Sequence, residues 1–331
     1  MTDKDVVGFL RRSGLATRDE TPNIQPLAGG VSSDIWKVTT AAGAVCVKRA
    51  LPTLKTDREW HAPVERNANE ADWIRTAGMI TPDAVPEILA EDRDAGMFAM
   101  SFMEPAENPV WKEQLRDGVV STKTAADVGD ALGHIHAATA DNASVADRFA
   151  TDDIFHAIRI EPYLLRTAKT CTDVAHRLTA LARTTADIHR VLVHGDVSPK
   201  NILVSPKGPL LLDAECAWYG DPAFDLAFCL NHLLLKCIWK PANATAYLQA
   251  YDALTASYFN HLSWEPRDQF KARTAALLPG LLLARVDGTS PVEYITNEAD
   301  KQTIRRAARR GLKEPPASLS EFRETFWKEL L

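Results

Sequence analysis

A chain of 331 residues is too long for one simple core and suits an arrangement of two lobes. With 46% hydrophobic and 25% charged residues the composition is that of a globular protein, and a formal charge of −6 gives no support for nucleic-acid binding. The five cysteines, an odd number without a C-x-x-C pair, argue against both a disulfide framework and a zinc site.

Taken in chain order, the opening residues hold acids and no long apolar core, so a secretory signal is not expected. Val6, Val7, Phe9 and Leu10 fall at helical spacing and predict a short amphipathic helix over residues 3–13, covering a sheet. Residues 24–50 read as a hairpin with its turn at Ala42-Gly43. Before its second half lies Gly29-Gly30-Val31-Ser32-Ser33. Glycines let the backbone approach a ligand, and successive N–H groups cradle a phosphate, which makes Gly30 and Ser32 candidates; a plain hairpin turn is the alternative. The next strand carries Val45-Cys46-Val47-Lys48. In the helix that follows, Glu70, Trp73 and Ile74 stand at i, i+3 and i+4, so the acid shares a face with apolar residues. Glu59 and Glu65 are its competitors, and Glu65 with Arg66 otherwise reads as a solvated helix face. Residues 97–104 predict a strand, and Pro105 to Pro109 mark a boundary, because proline removes the donor that continued pairing needs. Val128, Leu132 and Ile135 form a helix stripe in which Gly133 permits close packing and His134 and His136 read as core or cap residues. Residues 141–190 are polar and helical with little motif content.

The stretch Val191 to Ala227 carries the chemistry. Two apolar runs bracket the polar loop His194 to Lys200, and a third ends on Asp213. Such runs, broken by Pro and Gly, read as strands joined by tight turns. Asp196 and Asn201 then come from one turn, and Asp213 and Glu215 from the end of the next strand. Three acids and an amide converging there repel one another unless neutralised. A hard divalent cation with oxygen ligands, completed by a phosphate-bearing substrate, is the usual resolution. Cys216 next to these acids reads as a buried apolar residue rather than a reactive thiol. Beyond, Phe224 to Trp239 is interrupted by Asp225, Asn231, His232 and Lys236 and is too short and polar to span a bilayer. Helices are predicted over 228–238, 244–262 and 267–285. Arg285 near the end of the last either reaches a substrate cleft or pairs with Asp287 to cap the helix. The basic 301–313 segment reads as a solvated helix face.

The order His194-Gly195-Asp196, Asn201, then Asp213-Ala214-Glu215 resembles a kinase catalytic loop followed by its metal-binding acid. In this form it resembles the aminoglycoside phosphotransferase and choline kinase superfamily of small-molecule kinases. Lys48 with Arg66 and Glu70, the Val85-Pro86-Glu87 turn and the Met103-Glu104-Pro105 ending are similar in parts to methylthioribose kinases, as is Ala217-Trp218-Tyr219-Gly220. Asn201 follows the wider superfamily. The resemblance implies an α+β, bilobal, protein-kinase-like fold, with a small β-rich N-lobe (1–103) and a larger helical C-lobe (104–331). It also implies that Lys48 neutralises the α- and β-phosphates of ATP, with Glu70 orienting it. Ser101 to Met103 become hinge candidates for adenine.

The function so implied is ATP- and Mg²⁺-dependent phosphorylation of a hydroxyl on a small-molecule alcohol. Asp196 is the base, Lys200 touches the γ-phosphate, and Asn201, Asp213 and Glu215 are the metal candidates. A sugar or methylthioribose-like alcohol is favoured as acceptor. An aminoglycoside- or choline-type substrate is the alternative, and a nucleotide-binding regulator without catalysis is the rival of another class. A cytoplasmic protein with neither membrane nor nucleic-acid partners is the expectation.

Overall fold

The computed structural model describes residues 3–27, 33–51 and 65–330. Among these, five strands make one antiparallel sheet in the order β1-β2-β3-β5-β4. The strands are β1 (Asn23–Pro26), β2 (Ser33–Thr40), β3 (Gly43–Ala50), β4 (Ile88–Asp92) and β5 (Met97–Ser101). β2 and β3 pair along their whole length, from Ser33 opposite Ala50 to Thr40 opposite Gly43. The turn is possible because Gly43 takes φ +132°, which a side chain would disfavour. Helix α1 (Asp3–Arg12) buries Val6, Phe9 and Leu10 against Val38, Val45, Val47, Met97 and Ala99, as the spacing predicts. The expected single first strand is instead split, with β1 a short edge strand of its own.

Helix α2 (Arg66–Ile80) crosses the other face of the sheet with Trp73, Ile74 and Ala77 fully buried. It packs on β3, β4 and β5, so whatever β3 presents on that face meets α2.

After β5 the chain becomes helical: α3 (Trp111–Arg116), α4 (Thr122–Thr139), α5 (Ala143–Arg148) and α6 (Asp152–Phe155). The next ten residues, His156–Leu165, form a π-helix with Pro162 inside it. Proline has no N–H to give, and a wider turn absorbs the missing bond. Helices α7 (Arg166–Thr170) and α8 (Ala175–Asp187) follow. Then come two small antiparallel ribbons: β6 (Val191–Val193) with β9 (Trp218–Gly220), and β7 (Ile202–Ser205) with β8 (Gly208–Leu211). The remainder is α9 (Pro222–Trp239), α10 (Ala244–Phe259), α11 (Arg267–Asp287), α12 (Glu298–Lys313) and α13 (Leu319–Leu330).

Helix α9 is the axis of this part, buried on every side from Pro222 to Ile238. It starts six residues earlier than the predicted helix over 228–238. Asp221 accepts from the Ala223 amide at 3.0 Å and Pro222 takes the first helical position, a capped start. Helix α10 lies close along α4, where a Cβ on Gly129 would meet the Leu254 carbonyl oxygen at 2.3 Å. His136 is a core residue, its Nδ1 2.8 Å from the Tyr258 hydroxyl. Among the described residues no helix is long and apolar enough to cross a membrane. The five cysteines are free and buried.

Candidate active site

Strand β3 alternates its side chains, and Lys48, opposite Phe98 of β5, points to the α2 face. There it is only 3% exposed, with Nζ 2.6 Å from Glu70 Oε2 and a second ion pair to Asp213. An ammonium at that depth needs such partners. Burial alone would lower its pKa; the Asp213 and Glu70 carboxylates outweigh it and hold the value above that of an ordinary lysine. Burial conversely raises Glu70, against the pull of Lys48. The same helix contributes Arg66, fully buried, with Nε 3.1 Å from Glu215 Oε2 and Nη2 donating to the Leu51 carbonyl at 2.5 Å. Asn69, one turn on, donates to the Ala217 carbonyl at 2.6 Å. α2 thus ties the sheet to the segment carrying Asp213 and Glu215.

The loop after β6 is built around backbone hydrogen bonds. Asp225 of α9, wholly buried, accepts from the amides of His194 and Gly195, each at 2.7 Å. His194 Nδ1 accepts from the Asp196 amide at 3.1 Å, and Nε2 lies 3.1 Å from the Leu212 carbonyl. This pattern suits the neutral ring, and burial lowers the pKa in the same sense. Gly195 has φ +79°, and a Cβ there would meet Cys216 Sγ at 2.8 Å and the Cys216 carbonyl oxygen at 3.0 Å. Only glycine fits between histidine and aspartate. Buried Cys216 has its thiol pKa raised by that burial, so it packs and is no nucleophile.

Asp196 ends this turn. Its Oδ2 lies 3.0 Å from Arg159 Nη2 and 3.2 Å from Lys200 Nζ, whereas Oδ1 has no partner among the described residues. Burial would raise the carboxyl pKa; Lys200 and Arg159 overcome it and hold the group well below the usual carboxylate range. Asn201 gives Nδ2 to the Asp196 carbonyl at 3.1 Å, which leaves its Oδ1 as a free acceptor. Asp213 has φ +68°, a left-handed backbone that costs a non-glycine residue about 1–2 kcal/mol. Strain of this kind collects at functional sites. Lys48 and Lys200 together outweigh the burial of Asp213 and lower its pKa. Asn201 and Asp213 lie on segments joined by the Leu212 amide on the Asn201 carbonyl at 2.9 Å, and their side-chain oxygens are hard donors of the type Mg²⁺ takes, so the residues present fit that ion.

A model of the phosphotransferase enzyme family (APH) matches residues 23–262. The chain belongs to this family. Methylthioribose kinase 1 of Oryza sativa subsp. japonica is 25% identical over 253 residues, 67% of this chain and 58% of that protein. The chain therefore spans less than two thirds of that relative's length. The fold is similar to a choline/ethanolamine kinase family protein from Mesorhizobium loti, with a TM-score of 0.55, 16% identity and 98% of each chain covered. It is likewise similar to the amicoumacin kinase hAmiN, solved with AMP-PNP and Ca²⁺, with a TM-score of 0.58, 14% identity and coverage of 98% and 97%. The α+β, protein-kinase-like architecture expected from the sequence is the one this phosphotransferase-family chain adopts.

Within this family member, Lys48 joins Glu70 to Asp213, Asp196 is joined to Lys200 and Asn201, and Glu215 is held by Arg66 of the same helix as Glu70. Glu215 faces Arg66 with one oxygen, and Arg66 is buried rather than on a solvated face. Glu65 is exposed, and Glu59, Gly30 and Ser32 lie outside the described residues. Ser101 closes β5 with its amide bound to the Glu87 carbonyl at 2.9 Å and its hydroxyl accepting from the Glu87 amide at 3.0 Å. Met103, past the strand, has no backbone hydrogen bond among the described residues. The helix-capping Arg285–Asp287 pair does not form: Asp287 pairs with Arg305 at 2.7 Å, while Arg285 Nη1 donates to the Tyr163 hydroxyl at 3.0 Å. Arg159 was invisible to motif reading. Its only signal is a charged residue between Ile158 and Ile160 in a run containing Pro162.

Proposed function

We propose that this chain transfers the γ-phosphoryl group of ATP to a hydroxyl of a small molecule. The observation that carries the reading is the meeting of Lys48 from the sheet with Asp213, 165 positions later, beside the Asp196 loop. Residues 1–103 form the lobe that holds the nucleotide, and 104–331 bring the catalytic loop and the acceptor. Lys48, kept in place by Glu70, lies against the α- and β-phosphates. Phosphate contact is the role proposed for Gly30 and Ser32, and adenine contact that for the Ser101–Met103 segment, through Met103 rather than the Ser101 amide, which is bound to Glu87. Bound Mg²⁺ supplies charge neutralisation on the phosphates, with Asn201 and Asp213 to hold it and Glu215 in a second-site or water-orienting place.

The open Oδ1 of Asp196 is suited to accept the hydrogen bond of the incoming hydroxyl. As the new O–P bond forms and the bond to ADP breaks, the hydroxyl proton passes to Asp196. Because Lys200 and Arg159 keep this carboxyl strongly acidic, it acts chiefly by orienting the hydroxyl and takes the proton late, which suits a loose transition state. Lys200, on the same loop, reaches the γ-phosphate. Positioning and charge neutralisation carry the rate.

The methylthioribose kinases among the relatives make a sugar-like alcohol the first acceptor to test. ADP release is measured with ATP and Mg²⁺ over a panel of small alcohols. In Asp196→Asn, turnover is expected to fall by about 10²–10⁴ with ATP–Mg²⁺ binding retained; full turnover would remove Asp196 from the base role. Thermal stabilisation by ATP–Mg²⁺ without turnover on any alcohol would favour a nucleotide-binding regulator.

A further inference from the structure

Next to Asp196 the catalytic loop borders a small recess whose walls are cationic. Ser198 and Lys200 come from the loop itself, His232 and Lys236 from successive turns of α9, and Arg285 from the last turn of α11. Lys112 of α3 also lines it, already paired with Glu293, the one acid of the lining.

Lys236 is the anomaly. It is 1% exposed, and no carboxylate pairs with it among the described residues. It lies over the ring faces of Tyr294 at 4.6 Å and Trp239 at 5.3 Å. Such contacts are worth about 0.5–2 kcal/mol, less than the several kcal/mol that desolvating an ammonium costs. Burial pushes its pKa down to about 8, with Lys112 and Arg285 adding to the effect and Glu293 opposing it. The polar atoms around it are equally unspent. Ser198 Oγ, His232 Nε2, Arg285 Nε and Tyr294 Oη are buried with no hydrogen-bond partner. Arg285 is nevertheless locked in position, through Tyr163 at 3.0 Å and the Ser290 carbonyl at 2.5 Å. Buried donors held in place without acceptors ask for an acceptor-rich group.

We propose that the acceptor alcohol carries an anionic group, a carboxylate or a phosphate, which seats between Lys236, Arg285 and Lys200 and so presents a hydroxyl to Asp196. The inference rests on the kinase reading and narrows it. It disfavours choline and aminoglycosides, whose positive charge would face Lys236 and Arg285, neither of them paired with an acid among the described residues, and it asks more of the acceptor than the neutral methylthioribose offers.

The test uses the full chain and four matched probes: ribose, ribonate, ribose 5-phosphate and choline. Binding is measured by calorimetry without nucleotide, and ADP release with ATP and Mg²⁺. At least one anionic probe is expected to bind at least about tenfold more tightly than ribose or choline, a gap of about 1.4 kcal/mol. Lys236→Met is expected to abolish that preference, with Arg285→Met as the second variant should the first fail to fold. Lys123→Met, 82% exposed and outside the lining of the recess, serves as control. Comparison of ribonate with ribose 5-phosphate identifies the anion. Equal binding of ribose or choline, failure of both anions to bind, or an anion preference untouched in the folded variants would overturn the inference. Lys236-dependent anion binding without ADP release from these probes or from any alcohol of the wider panel sinks the kinase reading and leaves the anion site standing. ADP release from ribose undiminished in Lys236→Met does the reverse.

Discussion

Replacing Lys236 by methionine removes a charge and keeps most of the volume, so it isolates the cost of burying that charge. The lysine pKa falls from an ordinary 10.5 to about 8. Each tenfold change in proton affinity is about 1.4 kcal/mol, so the charged form burdens the fold by about 3 kcal/mol at neutral pH. Lys236→Met should therefore be more stable than the parent by up to that amount. For 331 residues, at about 2.1 cal/mol/K of unfolding entropy each, the gain is about 4 °C in Tm. The pH dependence has a definite sign. Between about 8 and 10.5 the unfolded chain binds the proton that the folded one has released, so parental stability rises with pH across that window. The advantage of the variant is full below pH 8, shrinks through the window and is gone above it. Paired urea melts of parent and variant at pH 7 and at pH 10.5 read the difference directly and cancel every other titrating group. A variant less stable than the parent at pH 7, or a difference that does not change with pH, would refute the reasoning.

Removal of Arg159 leaves Asp196 with only Lys200 beside it. Arg159→Met should cost about 1.5–3 kcal/mol in a urea melt, since a charged hydrogen bond is lost while Lys200 still answers the carboxylate. Its kcat should fall while ATP affinity holds, and an unchanged kcat would place Arg159 outside the site. Asp225→Asn keeps one acceptor for the two loop amides and turns the other into a donor. A loss of about 1.5–3 kcal/mol follows from the broken charged hydrogen bond. Steady-state kinetics should show kcat reduced with little change in KM for ATP; a pure stability loss with full kcat would mean the loop holds its shape without it.

What was legible in the sequence was whatever short-range spacing determines. Glu70 could be chosen over Glu65 because the i, i+3, i+4 rule puts it on the face of Trp73 and Ile74, and that face meets β3. Asp196 and Asn201 share a turn, and Asp213 lies at the end of the next β-ribbon, so their convergence needed no long-range information. Arg159 was not legible because its approach to Asp196 depends on the π-helix around Pro162, and i→i+5 geometry has no dependable sequence period. The Arg285–Asp287 expectation failed for a related reason. Local pairing looked sufficient, yet Asp287 is taken by Arg305 from the packing of α11 on α12, and Arg285 turns to Tyr163 on the π-helix. Within α9, His232 and Lys236 registered only as interruptions of an apolar run. Their i, i+4 spacing already placed them on one face, and that face lines the recess.

Charge pairing along the cleft shows why this face bears on the acceptor. Lys48 is answered by Glu70 and Asp213, Asp196 by Arg159 and Lys200, Arg66 by Glu215, and Asp221 by Arg273. In each, the attraction between the two members works against their desolvation, although burial still raises the Glu70 and Asp221 carboxyls. Lys236 has the same depth and no such partner among the described residues. A leucine or methionine there would suit the apolar packing of α9 at lower free energy, so the fold alone gives no reason for an ammonium. The counter-charge that the described residues lack is, in the proposal above, that of the bound anion. Lys200 lines that recess and pairs with Asp196, so under the proposed kinase reading the counter-ion and the hydroxyl belong to one molecule.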